Sequence, residues 1–149
     1  MRNQAPNSNK PESAFTLTEV VMAMSISALV IGGIIAGYTM SSQRAEWSSY
    51  SLAAHSLAMQ RLEQTRACKW DPQGWPQVDE LVSTNFPVVI DVLDIPISGT
   101  NVVYATNTTT ITTISASAPL KMIRVDCKWM FLSRGPFTNT VVTYRTSDQ

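Results

Sequence analysis

At 149 residues the chain has room for one small domain and a membrane segment rather than several domains. Eleven Lys and Arg balance eleven Asp and Glu, so no basic field advertises a nucleic-acid partner. Charged residues are only 15% of the chain while Thr and Ser are plentiful, a mix that suits an extracytoplasmic sheet better than a cytosolic enzyme.

The chain opens on a polar stretch, Met1–Ala14, with Arg2 and Lys10 as its only basic residues. An apolar run then reaches Met40, with the single carboxylate Glu19 near its start. Between Glu19 and Arg44 there is no Asp, Glu, Lys, Arg or His. Those roughly 24 residues, as a helix rising ~1.5 Å each, span about 36 Å, enough for a hydrocarbon core of ~30 Å. The run is too long for a cleavable secretory signal, and Arg2 and Lys10 favour a cytoplasmic N-terminus. An acid at mid-membrane costs on the order of 2.5–3.5 kcal/mol and less near the interface, so Glu19 calls for a partner. An amine four residues earlier would serve, and a cut between Ala14 and Phe15 would create it.

Ala14-Phe15-Thr16-Leu17-Thr18-Glu19 resembles the prepilin signature of type IV pilins and type II secretion pseudopilins. In that family a short basic leader is removed after Gly or Ala, the new N-terminal residue is N-methylated, and Glu stands at the fifth mature position. The resemblance implies a leader over 1–14, cleavage between Ala14 and Phe15, N-methylation of Phe15, and an assembly role for Glu19. Ala14 stands where Gly is commoner, and Thr18 where an aliphatic residue is usual. The implied partners are other pilin or pseudopilin subunits, the prepilin peptidase, an inner-membrane assembly platform and membrane lipid, with no cofactor. The implied location is the inner membrane, single-pass, with the C-terminal domain periplasmic and taken up into a filament.

Gly32, Gly33 and Gly37 interrupt the span, and Gly33 and Gly37 form a pair of small residues that lets another helix approach. Beyond the span, Ser41–Lys69 contains neither Pro nor Gly. Trp47, Ser51, Ala54, Ala58 and Leu62 recur at three- and four-residue spacing, widened by Leu57, opposite Arg44, Gln60, Glu63 and Gln64. One helix from Phe15 to about Lys69 is therefore expected, ended by Pro72, Gly74 and Pro76.

After residue 71 the pattern becomes β. Phe86–Ile90 and Asp91–Ile97, interrupted by Pro87 and Pro96, read as edge strands. Asn101–Ser115 is Thr-rich with little alternation and reads as one or two exposed strands. Lys121–Phe131 alternates clearly: Ile123, Val125, Cys127, Trp129 and Phe131 on one face, Arg124, Asp126 and Lys128 on the other. A turn is expected at Ser133–Pro136, and Phe137–Arg145 returns as the partner strand. The apolar faces of helix and sheet need each other, so the expected class is α+β, a pilin-like long helix packed on a small antiparallel sheet. The organisation is then a leader (1–14), a membrane and filament-core helix (15–40), its amphipathic extension (41–70) and a β-rich region (71–149). The closing hairpin, Leu120–Trp129 followed by Thr140–Thr146, resembles that of minor pseudopilins and minor pilins.

Chemistry is poorly represented. His55, the only histidine, has no acid or nucleophile beside it in sequence. Asp79, Glu80, Asp91 and Asp94 form an acidic loop-strand region whose spacing matches no compact calcium loop. Cys68 and Cys127 are the only cysteines; an oxidising periplasm allows a disulfide between them, and a free Cys68 with a buried Cys127 is the equal alternative. Asn107-Thr108-Thr109 is a glycosylation sequon. Three functions compete: a minor pilin or pseudopilin that primes or caps a filament, a single-pass membrane protein presenting a β-rich binding domain, and a membrane-anchored enzyme, for which no catalytic cluster is evident.

Overall fold

A computed structural model describes residues 15–94 and 102–148. The leader, with Ala14, and the expected strand end through Pro96 and Ile97 lie outside them. The chain divides into two compact units, Met1–Gln43 and Arg44–Gln149.

In the first unit the described residues are almost all α1, which runs Leu17–Ala67 and so continues into the second unit. From Phe15 through Gln43 every side chain is exposed. Nothing within this unit covers the apolar residues. Ser25 Oγ donates to the Val21 carbonyl (2.8 Å) and Thr39 Oγ1 to that of Ala36 (2.9 Å), so these hydroxyls are satisfied within the helix itself. A Cβ added at Gly32, Gly33 or Gly37 would meet open space.

The second unit is α+β. After α1 come the short strands β1 (Trp70–Asp71) and β2 (Val78–Asp79), a 3-10 turn at Ser83–Asn85, then β3 (Val89–Asp94), β4 (Val103–Ser115), β5 (Leu120–Phe131) and β6 (Arg134–Thr146). The last four form an antiparallel sheet in the order β3-β4-β5-β6, and β1 pairs with β2. The helix covers one face through Tyr50, Ala54, Ala58, Leu62 and Thr65. Ala54 and Ala58 are wholly buried; their short side chains let the backbone approach the sheet. Tyr50 and Thr65 extend the expected stripe. Ser51 is only half-buried and Trp47 remains 41% exposed. The core of the sheet is the odd face of β5, Ile123, Val125, Cys127, Trp129 and Phe131, all buried, as the alternation predicts. Trp70, Leu81 and Phe86 close its margins.

Several expectations are corrected. The helix ends at Ala67, two residues short of the expected end near Lys69; there Cys68 Sγ donates to Gln64 O (3.4 Å) and Arg145 Nη1 to Thr65 O (3.0 Å). The following residues are then drawn away, since Lys69 N donates to Glu80 Oε2 (2.8 Å) and Trp70 N to Asp148 Oδ2 (2.8 Å). Asn101–Ser115 is not an exposed strand. Its described part forms β4, interior to the sheet, with Ala105, Asn107 and Thr109 buried on the core face. Phe86–Val88 precede β3 rather than forming a strand. The final turn falls at Leu132–Ser133, where Phe131 pairs with Arg134. Both turn residues have positive φ, 47° and 60°, the geometry of a two-residue hairpin whose twist matches the strands. Gly135 and Pro136 lie inside β6.

Candidate assembly site at the start of the helix

The local sequence Thr16-Leu17-Thr18-Glu19 is a capping box, Ser or Thr followed three residues later by an acid. Thr16 is the N-cap. Its backbone N–H and its hydroxyl each donate to Glu19 Oε2 at 2.9 Å. Thr16 Oγ1 in turn accepts from Glu19 N (3.3 Å), and the helix ladder begins with Val20 N donating to Thr16 O (3.2 Å). An unpaired helix N-terminus leaves four N–H groups without partners, and the reciprocal bonds satisfy two of them. The carboxylate also sits at the positive end of the helix dipole.

Glu19 is therefore not a bare acid in an apolar surface. One carboxylate oxygen is held within the first turn, directly beside Phe15, the residue that a cut after Ala14 would expose. Phe15 is 85% exposed and Leu17 83%. The face that continues from Phe15 and Glu19 carries Val20, Ala23, Met24, Ser27, Ala28 and Ile31. It is an apolar surface with small residues at Ala23, Ser27 and Ala28, and no residue of its own unit covers it. The arrangement can bury hydrocarbon, in lipid or against another helix, and can offer one carboxylate at its end to a cation. Thr16 was missed from the sequence although the capping-box spacing was legible there.

The remaining candidates do not converge. The two cysteines are free thiols. Trp70 is bonded on both its N–H and its carbonyl to Asp148, each at 2.8 Å. Asp148 lies nine residues beyond Asn139, the register partner of Cys127. At ~3.3 Å per strand residue that is about 30 Å, so Cys68, two residues from Trp70, cannot approach the ~5.5 Å separation of a disulfide's Cα atoms. Burial, and secondarily the Asp91 carboxylate, push the Cys127 thiol up to about 11.

The acids do not form one patch either. Asp79 pairs with the buried Lys121 at 2.6 Å, whose ammonium also reaches Leu81 O (2.7 Å) and stands 4.8 Å above the Trp70 ring. Asp91 accepts from Asn107 Nδ2 (2.8 Å). Lys121 pairs with Thr113 and Asp91 with Ala105, which places Asp79 and Asp91 near points about 26 Å apart along β4. No group of three or more metal-ligating side chains gathers among the described residues. Asn107 is 3% exposed, facing the core, which leaves no room for a glycan. His55 is exposed on α1.

Residues 9–35 match the family described as the prokaryotic N-terminal methylation motif, the cleavage and methylation signal of type IV pilins and pseudopilins. No curated protein matches the chain, and no solved structure does.

Proposed function

We propose that the chain is a structural subunit of a type IV pilin-like filament, cut between Ala14 and Phe15 by a prepilin peptidase, methylated on Phe15, and inserted by its apolar helix into the inner membrane before assembly. Within that class it is a minor pilin or pseudopilin that primes or caps a pseudopilus or pilus. One observation carries the reading: a capped carboxylate, Glu19, lies four residues from the expected new terminus, inside the matched motif, on an apolar helix that its own unit leaves uncovered.

The mechanism follows from desolvation. A carboxylate leaving water is penalised by several kcal/mol, and a well-placed cation offsets that penalty. In the free subunit the Thr16 N–H and hydroxyl hold Glu19. These two bonds engage only one of its oxygens, so capacity remains for the ammonium of a neighbouring subunit's N-terminus. Apolar packing of Val20–Tyr38 supplies the bulk of the association, while the ion pair sets its register. Gly33 and Gly37, which no contact in their own unit requires, allow close approach of a second helix. The assembly platform recruits the subunit in the membrane, and no step requires a cofactor.

The test is the Glu19→Ala variant. It should insert in the membrane and be cleaved normally, yet be absent from sheared or cross-linked filament fractions. Incorporation at the wild-type level would rule out the pairing. Glu19→Asp, with a carboxylate one methylene short, should recover part of the incorporation if charge is what matters.

A further inference from the structure

The hairpin joining β5 and β6 ends in residues that the core does not use. Arg145 meets Thr65 O (3.0 Å), Asn139 meets Ser51 (3.2 Å), and the Phe137 and Trp47 rings lie 5.9 Å apart. Descending along β6 thus follows α1 back toward Arg44, and the Leu132–Ser133 turn lies at the end of the second unit where α1 enters it. At that end Leu132 is 57% exposed, Met130 46% and Trp47 41%. Arg44 and Arg134 are exposed, and no ion pair engages either one among the described residues; Glu46, the acid nearest Arg44 in sequence, accepts from Tyr50 (3.1 Å).

Leu132 is at an unexpected place. Its φ of 47° belongs to a turn that favours Asn, Asp or Gly, and its side chain is not a member of the buried core. The turn at the opposite end of the same sheet, Ala116-Ser117-Ala118-Pro119, carries only small residues. Of the β4–β5 and β5–β6 turns, only the second sets a large exposed apolar residue, Leu132, beside an exposed Arg134. Its end of the unit is tied to the apolar run by a short tether, since Arg44 follows Met40 by four residues. Even fully extended, four residues reach only ~14 Å.

We propose that the hairpin tip, Met130 to Arg134 together with Trp47, seats on the phospholipid interface of the membrane that residues 15–40 cross. The chemistry fits that occupant at each position. Trp at the headgroup level presents an apolar ring with a polar edge. Leu132 and Met130 enter the boundary of headgroups and acyl chains, and Arg44 and Arg134 meet lipid phosphates while their stems lie on apolar surface. The contact fixes the β-rich unit at the bilayer surface before assembly and must be released as the subunit leaves the membrane. The proposal rests on residues 15–40 being a membrane span, and its test checks that premise separately.

The full chain, with Cys68→Ser to remove the accessible thiol, is reconstituted in phosphatidylethanolamine and phosphatidylglycerol vesicles. It carries a nitroxide on one introduced cysteine, Leu132→Cys, Ser117→Cys or Val30→Cys. Collision with dissolved oxygen is compared with collision with a water-soluble nickel chelate. The expected result is a ratio of oxygen to nickel accessibility several-fold higher at position 132 than at 117, approaching that at 30. A ratio at 132 equal to that at 117, with position 30 deep in lipid, overturns the proposal alone. Shielding of position 132 from both reagents also overturns it and indicates a seat on protein. An aqueous position 30 removes the span and the proposal together.

Discussion

Single residues in this chain differ in how well their charge is provided for. Lys121 is 5% exposed and is held by both Asp79 oxygens, the Leu81 carbonyl and the Trp70 ring. Its loss strands a buried carbonyl and a stem-lined gap. Lys121→Ala should therefore cost roughly 2 kcal/mol, less than the 3–5 of a fully buried pair because Asp79 keeps access to water; urea unfolding of the full chain in micelles checks it. Asp148 contributes stability that depends on solvent pH. The Trp70 N–H first, and Arg145 second, hold its carboxyl below the usual range. Its contribution is complete above the unfolded value of about 3.9 and disappears as pH falls through the lower folded value. Asp148→Asn should thus melt earlier than wild type at pH 6, and the difference should close in strong acid. A gap independent of pH would contradict the assignment. Cys127, raised to about 11 and fully buried, should resist alkylation at pH 8 until the domain is unfolded, while Cys68 reacts in the folded protein.

At the scale of elements, the residues that could be read from the sequence were those whose polarity states their direction. β5 sets Ile, Val, Cys, Trp and Phe against Arg, Asp and Lys, and the burial follows that order. β4 could not be read so, because Asn107 and Thr109 face the core while Thr106, Thr108 and Thr110 face away, and hydrophobicity does not distinguish them. Its face is decided by register with β5, a long-range property. The last turn was misplaced because Gly135-Pro136 is a strong local signal, whereas Leu132-Ser133 is a poor one that the pairing of Phe131 with Arg134 imposes. The helix stop read from the residues before Pro72 falls within two residues of the observed end at Ala67, where Arg145, 80 residues on, takes the Thr65 carbonyl. Asn139 is a further tie of this kind. It accepts from the Trp129 indole N–H (2.8 Å) and donates to Ser51 on α1. Asn139→Leu should cost about 1–3 kcal/mol by leaving that indole unpaired, read as a loss of melting temperature with the fold retained. Ala58→Leu should cost about 1–3 kcal/mol, since overpacking would push α1 off β5.

For the molecule as a whole, the division of labour was legible from the start: an apolar run with one acid, then an amphipathic continuation, then alternating strands. The matched motif and the α+β second unit agree with it. At the N-terminus the local solution to the acid's cost is the capping box between Thr16 and Glu19, whose spacing is legible in the sequence. Under the proposed function, that box would let a subunit wait in the bilayer without a partner for its charge until a later ion pair forms. The measurement that tests this account most directly is mass spectrometry of the N-terminal peptide of protein made in cells with and without the prepilin peptidase. The account predicts a peptide beginning at a methylated Phe15 in the first sample and an uncut chain in the second. A peptide retaining Met1 through Ala14 in both would contradict it.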